Sequence, residues 1–204
     1  MKVAVLGGTG AFGSALAARL VEAGMSVTIG SRDPNRAAAM AAEIGSKGAA
    51  NIDAVAGVDL VVLSVDASAA LSTAADLADA IGETPVLSVA SQIRFENRAA
   101  LPSDDPLSLA EQTQQLLCGP VVAGLHSLAA RELAAGKAEG DALVCGNDEN
   151  AKAAALELAS TLVTGRALDV GPLAGARALE GMTAVIVNLN RRYRGHAGLQ
   201  IVGL

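Results

Sequence analysis

Val3-Ala4-Val5-Leu6-Gly7-Gly8-Thr9-Gly10-Ala11-Phe12-Gly13 is the stretch on which the reading of this sequence turns. Four apolar residues run straight into glycines, and helical periodicity follows at Phe12, Leu16, Leu20 and Val21 until Gly24 closes it. A strand that ends in a glycine turn and opens a helix is a dinucleotide-binding arrangement. In it Gly8 allows the tight turn, Gly10 lets backbone approach a pyrophosphate, and Gly13 permits close helix–strand packing. The unpaired N–H groups and positive dipole of the helix N-terminus then favour the diphosphate. The turn Gly8-Thr9-Gly10-Ala11-Phe12-Gly13 is the first candidate binding element. A glycine turn needed for packing alone is the plainer alternative.

Outward from this turn, strand and helix alternate. Met25–Ile29 is strand-like, and Asp33-Pro34 supplies an N-cap and a first helical residue for a helix to about Ile44, ended by Gly45. Val58–Val65, apolar apart from Asp59 and Ser64, suits a parallel strand covered on both faces. Ser68–Ile81 reads as helix and Pro85–Ala90 as strand. The alternation predicts an α/β fold with a Rossmann-type, doubly wound parallel sheet. Beyond it, residues 94–106 read as an exposed loop and Leu107–Cys118 as helix. Val121–Leu125 and Ala142–Val144 are strand candidates, Glu149–Leu162 is an amphipathic helix, and Leu173–Arg194 is a long helix followed by an apolar tail to Leu204. The expected division is a dinucleotide-binding domain over 1–120 and a smaller α/β lobe over 121–204 that completes the substrate site. The apolar residues Met182, Val185, Ile186 and Leu189 on the last helix suit either core or a dimer surface.

The 204 residues carry a net charge of −6, from 15 Lys+Arg against 21 Asp+Glu, and 51% are hydrophobic. That apolar mass excludes wholesale disorder. The acidic balance argues against nucleic-acid or membrane-surface binding, and three aromatics (Phe12, Phe95, Tyr193) provide no base-stacking platform. The apolar start is too short for a secretory segment and no run is long enough for a membrane span. Cys118 and Cys145 lack metal or CxxC spacing and read as free thiols, so a cytoplasmic protein is expected.

The end of the second strand decides which dinucleotide. An NAD site places Asp or Glu there for the ribose 2′-hydroxyl; this chain reads Gly30-Ser31-Arg32-Asp33-Pro34-Asn35-Arg36. Ser31 avoids the repulsion a carboxylate would exert on a 2′-phosphate. Arg32 can stack on adenine and donate to the phosphate, and Arg36 lies on the first turn of the next helix, facing the same pocket. Asp33, the discordant charge, has an N-cap role that points it away. NADP(H) is expected over NAD(H), with solvated surface arginines as the alternative.

At this point the sequence resembles the NADPH-dependent coenzyme F420 reductases, or F420-dependent NADP oxidoreductases. The match runs from Val3–Gly10 and Gly30-Ser31-Arg32 through Val121-Val122-Ala123-Gly124-Leu125-His126, Val144-Cys145-Gly146-Asn147-Asp148 and Asp169-Val170-Gly171-Pro172-Leu173 to Asn190–Leu199. The resemblance implies reversible hydride transfer between nicotinamide C4 and C5 of a 5-deazaflavin. It assigns the cofactor loop to Thr9–Phe12, the 2′-phosphate site to Ser31, Arg32 and Arg36, and the cofactor pocket to Ser64, Val65, Ala67 and Leu71, with Ala90 beside them. It lays the deazaflavin against His126-Ser127-Leu128-Ala129-Ala130, with main-chain groups of His126, Leu128 and Ala130 at its polar edge and the tail at Leu199 returning to the ring. A homodimer is also implied. Because hydride passes directly between stacked rings, proximity and orientation do most of the work, and no catalytic acid or base is named. His126 suits a proton donor, a ring-edge hydrogen bonder or a structural histidine. Arg191, Arg192 and Arg194 suit either the anionic tail of the substrate or the helix C-terminus.

Two segments depart from the family pattern. Where relatives carry Pro and an aromatic, this chain has Ser64-Val65-Asp66-Ala67, and a second Pro-containing segment is replaced by Ser88-Val89-Ala90-Ser91-Gln92. Asp66 is either a helix N-cap or a new polar contact. The departures leave open an NADPH-dependent reductase of another acceptor (imine, carbonyl or flavin) and a non-catalytic NADP-binding regulator.

Overall fold

Val3–Leu6 are fully buried, as a central strand must be when both faces are covered. The computed structural model describes residues 1–204 and builds an eight-stranded sheet around that strand, β1 (Lys2–Leu6). On one side lie β2 (Ser26–Ser31) and β3 (Lys47–Ala50); on the other lie β4 (Leu60–Leu63), β5 (Val86–Ser88), β8 (Val121–Gly124), β9 (Ala142–Gly146) and β10 (Ala167–Asp169). The chain winds outward from β1 to β3 and then crosses to β4. The crevice at the C-terminal end of β1 is therefore the topological switch point, where ligands of such sheets bind. Val86 is in register with Val121, so the sheet continues through residues 120 and 121.

Helices cover both faces. Leu16 and Leu20 of α1 (Ala11–Glu22), Ala37 and Ala41 of α2 (Pro34–Ile44), and Leu158 and Leu162 of α7 (Glu149–Leu162) pack one apolar layer. Ala74 and Leu77 of α4 (Ala67–Ile81), Leu109 of α5 (Leu109–Gln114) and Leu179 of α8 (Ala176–Tyr193) pack the other. A one-turn α3 (Asn51–Ala54) leads into β4, and a 3-10 turn at Leu173–Gly175 precedes α8, which Arg194 ends in the left-handed region.

The structure corrects several expectations. Residues 94–106 are not simply a loop: β6 (Ile93–Glu96) and β7 (Ala99–Pro102) form an antiparallel hairpin whose turn residues, Asn97 and Arg98, both have positive φ. That backbone suits the right-handed twist of a hairpin, but Asn-Arg lacks the glycine that announces it. The Asn188 side chain of α8 brackets Ala100, donating to its carbonyl at 2.7 Å and accepting from its amide at 2.8 Å, so it acts as a neighbouring strand. β3, β10 and α6 (Ala130–Ala135) were absent from the sequence reading because all three are short, and β3 is only Lys-Gly-Ala-Ala. β9 runs antiparallel to β8 because α6 packs against α1 instead of crossing the sheet, returning the chain at the same end.

Candidate functional site

The glycine turn is built by close approach. Gly7 has φ +82, and a Cβ there would stand 2.4 Å from the Ser64 carbonyl oxygen, so the tight turn assigned to Gly8 belongs to Gly7. Gly8 instead packs against Ile29 and Val5, and Gly13 fits where a Cβ would meet the Gly7 oxygen at 2.4 Å. Gly10 donates to the Gly7 carbonyl at 2.9 Å, and Ser14 is the first residue of α1 to donate back, to Gly10. No side chain caps this helix. The amides of Ala11, Phe12 and Gly13, just past the cleft-lining Thr9 and Gly10, therefore have no intrahelical partner, an anion-binding geometry.

At the end of β2, Ser31 is nearly buried and its Oγ accepts from the Asp33 amide at 3.2 Å. Asp33 caps α2, accepting from Asn35 N at 2.9 Å, so its carboxylate is engaged with the helix. Arg32 and Arg36 are exposed and neither forms an ion pair. Both line a cleft of about 460 Å³ together with Gly7, Thr9, Gly10, Ser31 and Asp33, so the capping role of Asp33 does not remove it from the cleft; Ser64, Val65, Asp66, Ala69 and Thr73 form the facing wall. Asp66 occupies the N-cap place of α4, yet its side chain makes no capping bond and its carboxylate is left in the cleft. Ala67 and Leu71 are half-buried against the second apolar layer and do not line this cleft; nor does Ala90, which is buried in that layer. Gly7, Asn51, Ala69 and Thr73 line it and were missed. Ala69 and Thr73 lie one and two helical turns beyond Asp66, a spacing that would have found them, whereas Asn51 depends on β3, which has no sequence signal.

Beside the cleft, the C-terminal ends of β4, β5 and β8 carry buried polar atoms with no hydrogen-bond partner: Ser64 Oγ, Ser88 Oγ and both ring nitrogens of His126. Native interiors rarely leave such groups orphaned unless a ligand or water serves them. Leu125, fully buried, adopts φ +67 and turns the chain so that His126 lies beside Ala90. Burial pushes the His126 imidazole down to about 4, with the Ala90 carbonyl opposing, so the ring is neutral at pH 7. Thr183 Oγ1 on α8 donates to the His126 carbonyl at 3.1 Å and accepts from the Ser91 hydroxyl at 2.7 Å, tying the two strand-end loops to α8. The Leu128 amide is committed to the Leu125 carbonyl, while those of His126 and Ala130 have no partner in the chain. Leu199 reaches the same end of the sheet: its carbonyl accepts from Asp141 N at 2.6 Å, and Ser127 Oγ donates to the Asp141 carbonyl. Arg191 is engaged elsewhere, over the Phe95 ring at 4.8 Å and on the Arg98 carbonyl, whereas Arg192 and Arg194 are exposed.

The family described as NADP oxidoreductase, coenzyme F420-dependent, matches residues 2–92. The F420-dependent NADP reductase of Methanothermobacter thermautotrophicus is 32% identical across all of this chain and 96% of its own length. That of Methanocaldococcus jannaschii is 33% identical across all of this chain and 99% of its own. A crystal structure from Arthrobacter sp. FB24, assigned as an F420-dependent NADP reductase, superposes with a TM-score of 0.87 at 27% identity over the whole of both chains. An Aspergillus terreus reductive aminase shares the fold alone, at a TM-score of 0.68 and 21% identity. With relatives above 30% identity aligned from end to end, the chain belongs to the coenzyme F420-dependent NADP oxidoreductase family.

Proposed function

We propose that this protein transfers a hydride between NADP(H) and the 5-deazaflavin coenzyme F420. The observation that carries the reading is the cleft itself, with two unpaired guanidiniums at its β2 end and orphaned polar strand ends beside its other end. The residues suit the dinucleotide. The amides of Ala11, Phe12 and Gly13 would hold the diphosphate, and Ser31, Arg32 and Arg36 would hold the 2′-phosphate. Ser64 and Val65 would flank the nicotinamide end, with Ala67, Leu71 and Ala90 packed behind them in the second apolar layer. The deazaflavin would lie against 126–130, with Leu199 closing over it and the free amides of His126 and Ala130 addressing its polar edge.

When both rings are bound, a hydride passes between nicotinamide C4 and deazaflavin C5, and a solvent proton balances the charge. The chain's own part is alignment, which in well-ordered cases is worth ~7–11 kcal/mol. His126, neutral because it is buried, would serve as a hydrogen-bonding edge. The test is direct: mixing protein, NADPH and oxidised deazaflavin should bleach the deazaflavin's visible band. Tight NADPH binding without bleaching would refute the acceptor and favour another one, for which Asp66 supplies a free carboxylate in the cleft.

The same reading includes a homodimer through α8 and the hairpin, where Phe95, Val185, Leu189 and Tyr193 are exposed; a light-scattering mass of one chain would refute it. It also includes a reducing cytosolic setting for the free thiols Cys118 and Cys145, which a periplasmic or secreted location in cell fractionation would refute. No helix is long and apolar enough to cross a membrane.

A further inference from the structure

Residues 199–204 form neither helix nor strand, and such segments ordinarily fray. Here they are held, and every hydrogen bond they make goes to Asp141 or Arg166. Leu199 O accepts from Asp141 N at 2.6 Å, and Ile201 N donates to Asp141 Oδ2 at 2.8 Å. Arg166 donates to the carbonyls of Ile201 and Leu204 while pairing with the Asp141 carboxylate at 3.1 Å.

Three glycines permit the approach. A Cβ at Gly140 would stand 2.2 Å from Leu199 O, one at Gly198 2.6 Å from Glu139 O, and one at Gly165 2.4 Å from Asp141 Oδ1. Asp141 is 3% exposed. Hydrogen bonds from the Arg166 and Ile201 amides, together with the Arg166 guanidinium, hold its carboxyl down to about 2, so the clasp stays charged throughout the working range. Asp141 also opens β9 at the sheet end where β8 delivers His126, and its own carbonyl accepts from Ser127 Oγ at 3.3 Å. One buried residue thus ties the tail to the 126–130 segment.

We propose that Asp141 is a positioning residue for the ring acceptor: it clasps Leu199 and Ile201 against the 126–130 segment and so fixes the wall over the ring, while the dinucleotide cleft stands apart from it. The proposal rests on the hydride-transfer reading above. A clasp serving stability alone would alter melting temperature and leave the acceptor's Michaelis constant untouched.

The test uses the full chain, Asp141→Asn, a chain ending after Gly198, and the two changes combined. KM and kcat for the deazaflavin, Kd for NADPH by fluorescence, and amide exchange at residues 199–201 are measured in each. In folded Asp141→Asn, KM for the deazaflavin should rise by roughly tenfold or more, as misplaced binding groups allow, with NADPH Kd within about twofold and faster exchange at Ile201. Because both changes release the same wall, the combined variant should be no worse than the truncation, the non-additive outcome for coupled sites. An unchanged KM, or an Asp141→Asn effect that persists after truncation, overturns the proposal. Should Asp141→Asn fail to fold, Arg166→Lys keeps the charge but loses the forked donors and should raise the same KM; an unchanged value overturns the proposal equally. A wild-type chain that never turns over the deazaflavin refutes the hydride-transfer reading itself, and the proposal falls with it.

Discussion

Arg32 and Arg36 stand at the end of β2 with no carboxylate partner, and the one acid between them, Asp33, is occupied by the Asn35 amide. Such an arrangement is complementary to a dianion and lacks the free strand-end carboxylate that accepts from a ribose 2′-hydroxyl. Removing Arg32 deletes a charge-assisted contact of ~1.5–3 kcal/mol. Arg32→Ala should therefore raise KM for NADPH by roughly 10- to 100-fold while changing KM for NADH by less than about threefold. Steady-state kinetics with both nucleotides checks this, and equal effects would refute the 2′-phosphate assignment. This much was legible because Gly8-Thr9-Gly10 and Ser31-Arg32 state their chemistry over a few adjacent positions. Gly7 was passed over because its requirement is set by the Ser64 carbonyl, 57 residues away, which local spacing does not reveal. His126 was visible as a histidine at a strand end, but its burial, its orphaned nitrogens and its lowered pKa all depend on the third dimension.

Among the elements, those with strong local grammar were read nearly to the residue. Asp33-Pro34 and Gly45 bound α2, and Glu149–Leu162 matches α7. The β6–β7 hairpin was not, because its turn uses Asn97 and Arg98 at φ 47 and 66 without a glycine. A non-glycine residue in the left-handed region is strained, Arg more than Asn. Arg98 contributes to the rest of the molecule through its carbonyl, which accepts from Arg191 and would survive a side-chain change. Arg98→Gly should accordingly stabilise the protein by about 0.5–1 kcal/mol, seen as a rise in melting temperature of roughly 1–4 °C for a chain of this size. Calorimetry decides it: a lower melting temperature would mean that the Arg98 side chain stabilises the hairpin by more than its backbone strains it.

At the scale of the whole molecule, β5 pairs with β8 and both apolar layers draw on helices from either half of the chain, so local titrations register in the stability of one continuous sheet. His126 is the largest such group. The unfolded chain takes up its proton near 6.5, while the folded protein resists until about 4, so the unfolded state binds more protons throughout that window. Stability is therefore full above pH 6.5 and falls as the pH drops toward 4, by about 3 kcal/mol from this group. Asp141 and Asp169 are shifted below the ordinary carboxylate range, Asp141 mainly by the Arg166 amide and Asp169 mainly by Lys152. Their contribution is intact above pH 4 and is lost only in stronger acid. Glu180 acts the other way. Burial raises it despite the Leu109 and Ala110 amides, so the folded state binds its proton first and gains stability as the pH falls through the same region. His126, the wider shift, should prevail between pH 6.5 and 4.5. Urea midpoints measured across that interval should fall for the wild type and stay nearly flat for His126→Leu, which removes the titration while filling a similar volume. If the variant keeps the wild-type slope, the acid sensitivity belongs to another group, and His126 is less shielded than the orphaned ring nitrogens imply.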